Sequence, residues 1–137
     1  VWFARNYWIV DSCSRTLNLH RLTYENMKIT IEIIRICFTQ YQVKYSDHAL
    51  YEMKYEEKGV IKTKEVYEAV MNGEIIEEYP DDKPFPSVLI NGKTKMDRNI
   101  HVVCAYSEEH NKVIIITVYE PDLLRWESDY KTRRKTK

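Results

Sequence analysis

The chain carries no net charge, its 21 lysines and arginines balancing 21 aspartates and glutamates. That removes the global positive field on which many nucleic-acid-binding domains rely, and it counts against RNA as a partner of the whole surface. Long apolar runs are also missing. The longest, Ile29 to Phe38, is interrupted by Glu32 and Arg35 and falls short of the roughly 20 apolar residues a membrane span needs. The first residues lack the basic start, continuous apolar run and small-residue cleavage site of a secretory signal. A cytoplasmic protein without a membrane partner is expected. Cysteine is scarce: Cys13, Cys37 and Cys104 are an odd number at wide spacing, which excludes a disulfide framework, a zinc knuckle and a redox pair. They read as reduced thiols, and Cys104, among Val102, Val103 and Ala105, as a small buried hydrophobe. With only 3 glycines and 4 prolines, no segment is biased enough for a linker or repeat array.

What is present fits one domain of 137 residues. Residues 1–26 crowd Trp2, Phe3, Tyr7 and Trp8 together without a period, and Met27 opens a stretch that reads like a natural start. The expectation is a leader of separate status over 1–26 and a single α+β domain over 27–137. From Met27 to Gln40, Ile29, Ile33 and Ile36 trace a helical stripe. Ser46 caps a second helix, with Asp47 in its first turn and Ala49, Leu50 and Met53 within, that ends near Gly59. Thr63, followed by Glu65, starts a third helix carrying Val66, Ala69, Val70 and Met71. Asn72 and Gly73 close it, with Gly73 expected in the left-handed conformation of a helix end.

After Gly73 the period changes to two. Strands are predicted over Glu74 to Tyr79, Ser87 to Asn91, Asn99 to Tyr106 and Lys112 to Tyr119, with a turn signal at Asn91 and Gly92 and a polar turn from Ser107 to Asn111. The last strand is apolar on both sides and therefore central. Pro121 suits the first turn of a terminal helix presenting Leu123, Trp126 and Tyr130. The predicted architecture is α+β: N-terminal helices, a four-stranded antiparallel sheet with one face covered by helices and the other open, and a C-terminal helix.

His48 with Ala49, Met53, Lys58 to Val60, Glu65 with Val66, Asn72 to Glu74, Pro84 to Leu89, His101 to Val103, and Ile116 to Pro121 with Trp126 and Arg133 occur in an order that resembles the family named domain of unknown function 4258. The resemblance covers about two thirds of the chain. It implies a fold like that of RelE-like ribonuclease toxins, RNA as substrate, and a small antitoxin protein of zinc-finger type as partner. One departure stands out: members of that family usually carry arginine four residues after the motif histidine, where this chain has Glu52. A carboxylate beside a phosphate site repels substrate. Lys58 takes the place of a second arginine.

Metal-independent RNA cleavage by 2′-hydroxyl attack needs a base, cations for the charge on phosphorus, and an acid for the leaving oxygen. His48, His101 and Tyr119 are the candidate catalytic residues. His48 opens a helix and is either a base near neutral pH or a residue that fixes the helix start by hydrogen bonding. His101 alternates with Asn99 and Val103, so a hairpin register would place it beside Thr117 or Tyr119, for chemistry or for a cross-strand hydrogen bond. Tyr119 is either a participant or a cover for the core. Candidate RNA-binding cations are Lys58, the loop residues Lys93, Lys95 and Arg98, and Arg133 and Arg134 in a terminal segment that is +4 from Arg125 onward. Acid gathers elsewhere, at Glu74, Glu77, Glu78, Asp81 and Asp82. His48 and Glu52 have the helical spacing of a ligand pair, but no third ligand is indicated, so neither metal nor cofactor is expected. The alternative reading is a noncatalytic protein-binding module of the same fold.

Overall fold

The computed structural model describes residues 28–135, so the expected leader and Cys13 lie outside the described residues. Helix α1 spans Ile31–Thr39 and starts where Thr30 Oγ1 accepts a hydrogen bond from Ile33 N at 3.3 Å. Its buried stripe is Ile34, Cys37 and Phe38, while Ile36 is exposed, so the inward face is rotated from the expected one. Helix α2, Asp47–Lys54, is capped by Ser46 as expected, Oγ accepting from Ala49 N at 2.9 Å, but it stops well before Gly59. Helix α3, Thr63–Asn72, begins one residue earlier in effect, with Lys62 at the cap and Glu65 accepting its N–H at 3.0 Å. No helix among the described residues is long and apolar enough to cross a membrane.

The sheet corrects the predicted architecture. It has five strands, not four, and is mixed rather than antiparallel: β1 (Val43–Tyr45), β2 (Glu74–Tyr79), β3 (Ser87–Lys93), β4 (Asn99–Ser107) and β5 (Lys112–Tyr119), in the order β1-β5-β4-β3-β2. The added strand β1 pairs in parallel with Val113 to Ile115 of β5. At three residues it is too short to display a period of two, and only β5's apolar edge makes it a strand. β5 is buried on both sides, as its composition suggested, but β4 and not β5 is the central strand, because β5 lies next to the short edge strand β1.

Asn91 and Gly92 do not turn; they continue β3 to Lys93. Gly92 is there for close approach, because a Cβ at that position would lie 1.8 Å from the Ala69 carbonyl oxygen of α3. Gly73 is also needed for room rather than for a left-handed cap, since its backbone is extended and a Cβ would sit 2.5 Å from the same oxygen. The main core lies between the helices and one sheet face, with Ile34, Val66, Val70, Ile90, Val102 and Ile115 at its centre. On the opposite face Ala105, Ile114 and Ile116 form a smaller apolar cluster with Phe85 and Val103.

The predicted terminal helix is absent. Residues 120–135 form a turned strap with a single bridge between Trp126 and Arg133. Two aspartates explain this. Asp122 Oδ1 takes the N–H groups of Leu124 and Arg125 at 2.8 and 3.0 Å, and Asp129 Oδ1 those of Lys131 and Thr132 at 2.8 and 3.0 Å. Such local bonds offer the backbone an alternative to the helical ladder. The strap lies over His101, so this part of the sheet face is not open as expected.

Candidate functional site

The sequence offers Thr117 or Tyr119 as the neighbour of His101, and the β4–β5 register pairs it with Tyr119, Thr117 lying opposite Val103. The imidazole is fully buried. Its Nε2 is 2.7 Å from the Tyr130 carbonyl oxygen and its Nδ1 3.1 Å from Tyr119 Oη. A carbonyl only accepts, so Nε2 carries the proton and Nδ1 accepts from the tyrosine hydroxyl. Trp126 meets the ring edge-on at 4.5 Å. Burial lowers the His101 pKa to about 4 and raises that of Tyr119 to about 12. The pair is neutral, with both imidazole nitrogens committed. It fastens the strap to the sheet.

Arg133, at the end of the strap, binds Glu77 of β2 through two nitrogens at 2.8 and 3.0 Å and lies 4.6 Å above the Trp126 ring. Tyr79 donates to the same carboxylate. Burial raises the Glu77 pKa, but Arg133 and Tyr79 more than offset this and hold it below the usual range. The guanidinium is thus matched, two bonds to one carboxylate, the geometry in which arginine binds most strongly.

A second arrangement follows the outer edge of β5 beyond β1. Ser46 Oγ donates to Ile116 O at 3.0 Å, Glu52 Oε1 accepts from Val118 N at 3.3 Å, Glu56 Oε1 accepts from Glu120 N at 2.7 Å, and Lys58 Nζ donates to Pro121 O at 2.9 Å. Side chains from α2 and the loop after it therefore satisfy the edge that β1 leaves uncovered. Glu52 Oε1 also lies 3.3 Å from His48 Nε2. Burial raises the Glu52 pKa, while His48 and the Val118 N–H oppose the rise. His48 is about two-fifths exposed at its side chain, so an accessible imidazole is held by a carboxylate that is itself fixed to β5.

The remaining candidates are scattered. Arg98 is bound by Glu120, by Glu65 at 3.2 Å, and by the carbonyl oxygens of Gly59 and Val60 at 2.5 and 3.1 Å, which joins β4, α3 and the end of β5. Lys93 pairs with Asp97 at 3.3 Å and Arg134 with Glu127 at 3.1 Å, while Lys95 is exposed. Arg98, Lys93 and Arg134 are thus each bound to an acidic group of the chain itself. Two cations of the basic terminal segment pair with the acidic strand, Arg133 with Glu77 and Lys131 with Glu74 at 2.6 Å.

Sequence reasoning missed Glu56, Glu77, Glu120 and Trp126 as members of these arrangements. The spacing of Glu52 and Glu56, four residues apart and four and eight from His48, was the available signal. Among known proteins, the profile of the family described as Domain of unknown function (DUF4258) matches residues 45–120, from the end of β1 to the end of β5. That span includes His48, Glu52, His101 and Tyr119 but not Trp126 or Arg133. No curated protein and no solved structure gives a match.

Proposed function

The chain belongs to the DUF4258 family, whose profile covers more than half of it, and on that premise we propose that it is a metal-independent ribonuclease of the toxin type, with His48 as its base. The observation that carries this reading is the contact of 3.3 Å between His48 Nε2 and Glu52 Oε1, with Glu52 anchored on Val118 N. A carboxylate so placed orients the imidazole and stabilises the imidazolium formed when it accepts a proton. In the proposed step the imidazole takes the 2′-hydroxyl proton as that oxygen bonds to phosphorus. The bond to the 5′ oxygen breaks, leaving a 2′,3′-cyclic phosphate and a 5′-hydroxyl protonated from water. Lys58 spends one of its three N–H donors on Pro121 O and has others for a phosphate oxygen. The RelE-like relationship and a small zinc-finger antitoxin as partner belong to the same proposal and rest on the resemblance alone.

A second reading, a noncatalytic protein-binding module, is favoured by a specific observation. Arg98, Arg133, Arg134, Lys58 and Lys93 each already meet a carboxylate or a carbonyl oxygen. The two readings separate on purified full-length chain incubated with a fluorescently labelled single-stranded RNA. The wild type is expected to release a 2′,3′-cyclic phosphate end, and His48→Ala to slow cleavage by roughly 10² to 10⁴ at an unchanged melting temperature. Intact RNA with folded wild type, or full-rate cleavage by His48→Ala, removes the proposed mechanism. The binding-module reading takes its place if the wild type is inert.

A further inference from the structure

The sheet has two edges, and they are finished differently. Next to β1, the exposed rim of β5 is closed by the side chains of Ser46, Glu52, Glu56 and Lys58. At the other end stands β2, six residues long and paired only with β3. Among the described residues, the one backbone bond that Glu74–Tyr79 makes outside that pairing runs from Asp82 N to Tyr79 O at 3.2 Å, at the strand's end. No side chain among the described residues bonds to the backbone of this strand either. A row of unpaired N–H and C=O groups at a sheet edge is a template for another strand. We infer that β2 is a strand-addition site for an extended basic segment of a partner protein, one with lysine or arginine at alternate positions.

Charge selects that occupant. Residues 74–82 hold Glu74, Glu77, Glu78, Asp81 and Asp82 and no basic residue. Antiparallel pairing of β2 with a second copy of itself would set these carboxylates against one another, and like charges across a strand pair are destabilising. The register shift between Ile75 and Glu77 also bends the edge away from a flat homotypic pairing. The edge therefore rejects its own copy and favours a strand of opposite charge. The chain itself displays the complementary pattern. Lys131 and Arg133, two residues apart, reach Glu74 at 2.6 Å and Glu77 at 2.8 Å from across the sheet face, without bonding to the β2 backbone. A partner segment with the same alternation sets its cations on one face; on the helix side they would meet Glu78, while Lys131 and Arg133 hold Glu74 and Glu77 on the other face. The inference stands whether or not the chain cleaves RNA.

The test uses the full chain and amide hydrogen exchange read by NMR. The probe is a ten-residue peptide alternating lysine and threonine. Two relatives accompany it, one with glutamate for lysine and one with proline for each threonine, which keeps the charge and removes half the donors. The lysine–threonine peptide is expected to slow exchange at amides of 74–79, and the other two to leave it unchanged. Glu78→Lys, an exposed position paired only with Lys28, is expected to weaken that peptide's binding about two- to fivefold, the range for one cross-strand charge pair. Equal effects of the lysine–threonine and proline peptides would reduce the attraction to charge alone and overturn strand addition. Absence of protection with every peptide overturns it as well. Concentration-dependent protection of β2 in the chain without peptide would assign the edge to a second copy instead.

Discussion

Stability should fall as the pH drops from 6.5 toward 4, and His101 should be the cause. Nε2 must keep its proton for the Tyr130 carbonyl, and Nδ1 must stay unprotonated to accept from Tyr119. A second proton would place a charge at a site with no exposure, near the Arg133 guanidinium. The folded pKa is lowered by burial to about 4, against 6.5 in the unfolded chain. Between those values the unfolded chain binds a proton that the folded one refuses, so stability rises with pH across the window and is fully present above 6.5. At roughly 1.36 kcal/mol per unit, the whole window is worth about 3 kcal/mol. Urea midpoints in half-unit steps from pH 4.5 to 7.5 measure it, for the wild type and for His101→Gln. The glutamine amide still donates toward Tyr130 but does not titrate, so its curve should lack this slope even if it starts lower. Parallel curves, or an NMR titration that finds His101 protonating near 6.5, would refute the reasoning.

Gly92→Ala should destabilise by about 3 kcal/mol or more, because the new methyl would meet the α3 backbone rather than a movable side chain; thermal unfolding checks it, and a neutral effect would mean that α3 does not sit on β3 this closely. Arg98→Met should cost on the order of 3 kcal/mol, since it leaves Glu65, Glu120 and two carbonyl oxygens without their shared donor. That loss should show in the urea midpoint. If Arg98 instead served RNA, Arg98→Met would impair binding while leaving stability intact.

The long strands were legible because they are runs of six to nine residues rich in β-branched and aromatic side chains, as in Lys112 to Tyr119, which is apolar on both faces. β1 was not, because three residues carry no period and its status depends on a neighbour seventy residues away. The terminal segment misled for the opposite reason. Leu123, Trp126 and Tyr130 do have helical spacing, yet Asp122 and Asp129 draw off the amide groups a helix would need. Asn91 with Gly92 carried a turn signal that tertiary packing overrode, since a glycine was required in a strand under Ala69. For β1 and Gly92 a longer-range demand decided the outcome, and for the terminal segment a competing local one did.

The site was harder to read because its charges are matched over long separations. Arg98 finds Glu65 across 33 residues, Arg133 finds Glu77 across 56, and Glu52 finds Val118 across 66. Counting cations by position ranks all of these as open to phosphate, whereas only their partners reveal which are committed. Glu52 shows how far this changes an inference. Read beside a presumed phosphate site, it is a repulsive replacement for arginine. In place, it accepts the Val118 N–H at the edge of β5, which no arginine can do because a guanidinium has no acceptor. An arginine there would leave that amide without this partner and set a second cation beside His48. Glu52 is therefore required by the sheet edge before any chemistry is considered, and the same carboxylate that completes the edge is what holds the His48 imidazole.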